Sequence, residues 1–179
     1  MEHVLRTDAF LSEAMAAHGD AVYRLALCRM QRVQDAEDVY QEVFLRLLRD
    51  PTKFDGDGHL KAWLLRVTLN CCHSLWRSPW QRRAPLVDQA VPPPQDEQTA
   101  ALWEAVAALS PHQRTAVHLY YAEGYRTEEI AQLTGCSAAT VRTRLHRART
   151  ALKGLLEGGT DDGQEEPLPQ PAAGHSPAR

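Results

Sequence analysis

Apolar residues recur along most of this chain three and four positions apart, the spacing of a helix that buries one face. With Thr7 or Asp8 as cap, the pattern predicts a first helix to about His18. A second, from about Asp20 to Gln31, sets Val22, Leu25, Ala26 and Met30 near one face. A third, capped by Asp35 and ending before Pro51, buries Val39, Phe44, Leu45 and Leu48. The run FDGDG (54–58) reads as a loop, and a fourth helix spans about Leu60 to Arg77, stopped by Pro79. Further along, Gln98 to Leu109 is helical. Ser110-Pro111 is a cap followed by proline at the first helical position, and that helix ends near Gly124. Thr127 caps a short helix, EEIAQLT, that ends at Gly135. Ser137 caps a longer one, AATVRTRLHRARTALKGLLE, that runs to Gly158. Sustained alternation and Asn-Gly or Asp-Gly hairpins are missing, so no strand is predicted. The expected fold class is all-α.

The periodicity breaks twice. APLVDQAVPPPQDEQ (84–98) contains Pro92, Pro93 and Pro94, which cannot continue a helix and favour an extended chain of about 3.1 Å per residue. GGTDDGQEEPLPQPAAGHSPAR (158–179) is rich in Gly, Pro and acids and nearly lacks large apolar residues, so it is expected to be disordered. The predicted organisation is two small helical domains, 1–83 and 99–157, an extended acidic linker over 84–98 and an acidic tail over 158–179. In the second domain, Ile130, Ala131 and Leu133 form the apolar side of the short helix. Val141, Leu145, Ala148 and Leu152 form one stripe on the long one, and Gly135 supplies the turn between them. This is a helix-turn-helix pattern.

Composition narrows the function classes. The longest apolar run is Ala105 to Leu109, far short of the ~20 residues that span a membrane. The N-terminus lacks a signal-peptide pattern. The expectation is therefore no membrane insertion and a cytoplasmic protein. Cys28, Cys71, Cys72 and Cys136 form no C-x2-C pair and read as free thiols. The net charge of −3 discourages nucleic acid until the charges are placed. Residues 61–83 carry Lys61, Arg66, Arg77, Arg82 and Arg83 and no acid. Residues 137–153 carry Arg142, Arg144, Arg147, Arg149 and Lys153 and no acid. Between them, 84–113 carry acids and no lysine or arginine. Two basic blocks in a near-neutral chain suit a polyanion better than they suit a solvated face.

In a helix-turn-helix the first residues of the second helix reach base edges in the major groove. Arg142, Thr143 and His146 are the expected base readers. Arg144, Arg147, Arg149 and Lys153 suit phosphate, since an arginine fork serves either task. The helix at 60–77 combines Trp63, Asn70 and Trp76 with nearby bases, a set that suits unstacked single strands. Tryptophans at helical spacing are also good core residues, Trp63 in particular, with Trp76 or Trp80 more exposed. The segment DAEDVYQEVF (35–44) sets Asp35, Glu37, Asp38 and Glu42 on expected exposed sides. A well-capped surface helix explains those acids equally well.

These segments together resemble an extracytoplasmic-function (ECF) sigma factor, a small sigma-70-family subunit of bacterial RNA polymerase. DAEDVYQEVFLRLL resembles the domain 2 helix that docks on the polymerase clamp. KAWLLRVTLN resembles the domain 2 segment that engages and opens the −10 element. LSPHQRTAVHLYYAEGYRTEEIAQLTGCSAATVRTRLHRARTAL resembles domain 4, which reads the −35 element. The resemblance covers about residues 9–156. It implies that Asp35, Asp38, Gln41, Glu42 and Phe44 belong to the polymerase-binding helix. It implies that Lys61, Trp63, Arg66, Asn70 and Arg77 serve the −10 element, with Asn70 holding a flipped base and the loop Phe54 to Lys61 shaping its pocket. It implies that Ser137, Thr140, Arg142, Thr143, Arg144, His146, Arg147 and Arg149 serve the −35 element. It also implies core RNA polymerase (clamp and flap), promoter DNA and an anti-sigma factor as partners, and an acidic linker that threads polymerase channels. Two positions depart from the family pattern: Leu65 stands where a tyrosine is common, and Ser74 where an aspartate is.

A free-standing helix-turn-helix regulator is the alternative, and the docking-like and single-strand-like helices of the first domain argue against it. Without a P-loop, a G-x-S-x-G or an H-x-E…C-x-x-C pair, the chain is not expected to be an enzyme or to hold a cofactor or metal.

Overall fold

The computed structural model describes residues 5–77 and 97–157, which fall into two compact units. The expected linker before residue 97, the tail from residue 158, and Trp80, Arg82 and Arg83 lie outside the described residues. Every regular element among the described residues is helical, as expected, and none of those helices is long and apolar enough to cross a membrane.

The first unit has three helices: α1 (Asp8–Met30), α2 (Val33–Arg49) and α3 (Asp57–Arg77). Thr7 caps α1, its hydroxyl accepting from the Phe10 N–H at 3.3 Å. The two helices expected on either side of Gly19-Asp20 are one continuous helix. Glycine inside a helix costs about 1 kcal/mol against alanine, but Gly19 is buried and the Tyr40 hydroxyl lies only 2.9 Å from where a Cβ would stand. The glycine is there for close packing of α2 on α1, not for a turn.

α2 corrects two expectations. Its cap position is Arg32, and Asp35 lies inside the first turn, buried, with its carboxylate 3.3 Å from the Arg32 guanidinium. The buried face is Ala36, Val39, Val43, Phe44 and Leu47, while Leu45 is 45% exposed and Leu48 half-buried. Neighbouring apolar pairs in this stretch make the two faces look alike in sequence, and packing against α1 decides between them.

α3 begins at Asp57, three residues before the expected start, and so takes in Gly58. Leu60, Leu64, Thr68, Cys71 and Cys72 face the core, and the Thr68 hydroxyl donates to the Leu64 carbonyl at 2.8 Å, so its burial leaves no bare donor. Leu65 is fully buried. The departure from the family pattern at that position is therefore taken up by the core.

The second unit holds α4 (Glu97–Ala108), α5 (Pro111–Val117), a π turn (His118–Ala122), α6 (Thr127–Thr134) and α7 (Ala138–Leu156). α4 begins at Glu97, one residue before the expected start at Gln98 and inside the stretch expected as linker. Ser110 and Gln113 form a reciprocal capping box at 3.3 and 3.0 Å, with Pro111 at the first position. Arg114 is buried and donates to the Ala107 and Leu109 carbonyls at 3.1 and 2.7 Å, closing the C-terminal end of α4. The π turn inserts a residue into the helical phase, so that Tyr120 is buried and Tyr121 is 48% exposed.

Thr127 is not the cap of α6 but its first residue, and the Glu129 carboxylate accepts from the Arg126 N–H at 2.8 Å. Gly135, at φ 68°, ends α6 in the left-handed region that favours glycine. Val141, Leu145 and Ala148 are fully buried and Leu152 half-buried, the stripe expected of the helix-turn-helix.

Candidate nucleic-acid and polymerase interfaces

α7 is launched by Ser137, whose hydroxyl accepts from the Thr140 N–H at 3.1 Å and meets the Thr140 hydroxyl at 2.9 Å. Both side chains are engaged in starting the helix. The Thr143 hydroxyl donates to the Ala139 carbonyl at 3.0 Å, leaving its methyl group and both oxygen lone pairs for a ligand. Arg142, Thr143, His146 and Arg147 are all exposed and form one contiguous outward face in the first half of the helix. Arg144 is half-buried and its guanidinium turns back to the Cys136 sulfur at 3.4 Å, bracing the turn. Arg149 is also half-buried, close enough to Tyr120 for its charge to oppose the rise in phenol pKa caused by burial. The eight expected residues thus divide into four on the open face, two that start the helix and two that lean on the unit.

Arg142 reaches Glu128 of α6 at 3.8 Å, with both side chains more than half exposed. The Glu128 carboxyl is held below the usual carboxylate range, chiefly by its own backbone N–H and the Thr127 hydroxyl and less by Arg142 and Arg126. An exposed pair of this length contributes little, so a phosphate or base edge can take Arg142 at small cost.

On α3, Arg66, Asn70, His73 and Arg77 follow i, i+4, i+7 and i+11, and all four are exposed. They form a single polar stripe. His73 was not among the expected residues, although its position three after Asn70 places it there. Lys61 is half-buried. Trp63 is half-buried and meets Phe54 edge-on at 5.7 Å between ring centroids. Trp76, expected to be more exposed, is half-buried against the core, and the Arg29 guanidinium lies 5.0 Å from its ring centroid. That face of the indole is therefore taken.

On α2, Asp38, Gln41 and Glu42 are exposed, whereas Asp35 and Phe44 are buried. Asp35 therefore lacks the exposed position expected of it. Asp38 and Glu42, with Val39, line one wall of a groove of about 320 Å³ whose other residues are Arg46, Cys71, Ser74 and Leu75. Arg46 grips Glu42 at 2.7 Å. Burial pushes the Cys71 thiol up, and that of Cys72 up to about 12. None of the four cysteines is in a disulfide, and Cys28, Cys71 and Cys72 are buried. Thiols so placed suit packing rather than redox chemistry.

Comparison with known proteins finds two family models on this chain. The model described as "Sigma-70 region 2" matches residues 14–83, and that described as "Sigma-70, region 4" matches residues 99–152. The ECF RNA polymerase sigma factor SigE of Mycolicibacterium smegmatis is 34% identical over 160 residues, 80% of this chain and 60% of that protein. The match therefore spans less than two thirds of that relative's length. The ECF RNA polymerase sigma factor EcfG of Rhodopseudomonas palustris is 30% identical over 173 residues, 89% of this chain and 93% of that one. Among solved structures, the sigma factor RpoE in complex with the anti-sigma factor NepR from Bartonella quintana matches with a TM-score of 0.70 and 26% identity. That match covers 84% of this chain and 98% of the other.

Proposed function

This chain belongs to the extracytoplasmic-function sigma factors of the sigma-70 family, and on that premise we propose that it binds core RNA polymerase and directs it to promoters with a −10 and a −35 element. In this reading the open face of α7 (Arg142, Thr143, His146 and Arg147) reads the −35 element in the major groove. The exposed stripe of α3 (Arg66, Asn70, His73 and Arg77) takes the melted −10 strand, with Lys61 and Trp63 behind it. Asp38, Gln41 and Glu42 of α2 meet the polymerase clamp, and Asp35 and Phe44 shape that helix from inside. Ser137, Thr140, Arg144 and Arg149 support the α7 face instead of forming it. The chain carries no catalysis of its own, works in the cytoplasm, and is a partner for an anti-sigma factor and for the polymerase flap. The residues of the linker are left to thread the polymerase.

The observation that carries this reading is the pairing of the two polar helix faces in one chain, one built for duplex DNA and one for a single strand. A free-standing regulator needs only the first. In vitro transcription with core enzyme over a pool of promoters tests it: selective initiation with a shared two-part motif is expected, and the chain should co-elute with the polymerase on gel filtration. Binding to duplex DNA without co-elution would favour the regulator.

Two substitutions separate the surfaces. Arg142→Ala should cost about 1–3 kcal/mol in −35 binding and relax preference at one base pair, with no change in melting temperature, since the side chain is exposed. Equal loss on all sequences in a competition binding assay would make Arg142 a phosphate contact. Asp38→Ala with Glu42→Ala should weaken polymerase binding by about ten- to a hundredfold and leave −35 binding unchanged. Arg46→Ala is the control, because losing Glu42 also releases Arg46 from its 2.7 Å bond. If Arg46→Ala alone reproduced the loss, the acids would not be the contact.

A further inference from the structure

The segment 50–56 joins α2 to α3, and its own bonds are local. The Asp50 carboxylate accepts from the Thr52 N–H at 2.8 Å, and the Asp55 N–H donates to His59 Nδ1 at 3.2 Å. Gly56 passes through φ 116°. What ties this loop to the rest of the unit comes from the other end of the chain.

Arg6, ahead of α1, makes two bonds to the last turn of α2 and one to the loop. Its N–H donates to the Leu48 carbonyl at 3.1 Å, its Nε to the Leu47 carbonyl at 3.0 Å, and its Nη2 to the Thr52 carbonyl. The same guanidinium lies 4.6 Å from the Phe10 ring centroid and 4.9 Å from that of Phe54, within cation–π reach of both. Phe54 carries the contact on to His59 at 5.3 Å and Trp63 at 5.7 Å. A second tie closes the far side: His18 of α1 meets the Asp57 carboxylate at 2.7 Å. The His18 side chain is 5% exposed and that of Asp57 76% exposed. A core histidine here holds a surface carboxylate on the first turn of α3. The bond orients Asp57 without hiding it.

We propose that Arg6 and His18 are positioning residues, which hold the α2–α3 loop and the first turn of α3 in the shape that receives an extruded −10 base. The inference rests on reading α3 and this loop as the partner of the −10 strand. Its physical basis is preorganisation. A loop fixed before DNA arrives loses little entropy on binding, so it discriminates bases by contacts already in place. A loop free to rearrange would accept several bases at similar cost. One guanidinium bonding the Leu47 and Thr52 carbonyls and one buried imidazole supply that rigidity from residues that need not touch DNA.

The test uses holoenzyme reconstituted from the full chain and core polymerase. It is assayed on duplex promoters and on the same promoters with the −10 region already melted, with each −10 base varied in turn. His18→Ala, Asp57→Ala and Arg6→Lys should each slow opening of the duplex by about tenfold, the scale of one charge-assisted bond. They should also flatten base preference on the melted template, with co-elution unchanged. His18→Gln and Asp57→Asn, which keep a donor and an acceptor, should restore most of both. Because the Asp57 side chain is exposed, Asp57→Ala remains decisive even if His18→Ala fails to fold. Unchanged base preference in Asp57→Ala would overturn the proposal, as would an opening defect matched by an equal loss of polymerase binding. If wild-type holoenzyme initiated at no promoter, the sigma-factor reading itself would fail. Selective wild-type initiation with indifferent variants would remove this inference alone.

Discussion

Asn70→Ala is expected to slow promoter opening by about five- to a hundredfold, with polymerase binding unchanged. The range follows from the ~1–3 kcal/mol that a well-placed pair of hydrogen bonds to a base edge contributes. Asn70 is exposed on α3 between Arg66 and His73, and its amide can donate and accept at once. Alanine removes both bonds and leaves Arg66 and Arg77 to hold the backbone. The helix does not suffer, since alanine is the better helix former at an exposed interior position. Opening rate on duplex DNA and co-elution with polymerase are the two readouts, and a promoter with its −10 region already melted should recover part of the loss. If opening and polymerase binding fell together, Asn70 would belong to the docking surface.

Leu145→Ala should have the largest effect on stability. Leu145 is fully buried, as are Val141 and Ala148 on its own helix, Ile130 on α6 and Leu119 in the π turn. A leucine cut to alanine in such a site costs about 2–5 kcal/mol, the upper end where the cavity cannot collapse. At about 0.05–0.15 kcal/mol per residue, a unit of this size holds a total stability not much greater than that. Thermal melting of the full chain should therefore lose the transition of the second unit, and −35 binding with it, while the transition of the first unit persists. This separates Leu145 from Arg142, whose loss should weaken binding with no change in melting. A wild-type melting curve for Leu145→Ala would mean that the stripe is not the core of the unit.

The helix-turn-helix was legible because its signals are local. Ser110 and Ser137 are caps within three residues of their partners, Gly135 is needed by one turn, and the stripe from Val141 repeats within its own helix. The polar face of α3 was legible for the same reason, apart from His73, whose imidazole carries no fixed sign in a count of charges. What escaped the sequence depends on distant parts of the chain. Gly19 resembles a helix break until Tyr40 is seen against it. Asp35 resembles a cap on charge and position, but the helix starts two residues earlier and folds it inward. Neither Arg6 nor His18 stands out in sequence, because their partners at Thr52 and Asp57 lie about forty residues away. The π turn has no simple pattern at all, since one inserted residue alters the phase and not the composition.

Arg114 sets a limit on how the chain can be divided. Its guanidinium is buried, and the Ala107 and Leu109 carbonyls that accept from it belong to the end of α4. Ala105 and Leu109 are buried with it. A fragment cut at Ser110 would keep the helix-turn-helix and lose both of those carbonyls. The cut would also remove Ala105 and Leu109 from the core and open to water the apolar surface they cover. The smallest C-terminal fragment that stands alone therefore includes α4, and footprinting or structural work on −35 recognition should include residues from Glu97 onward.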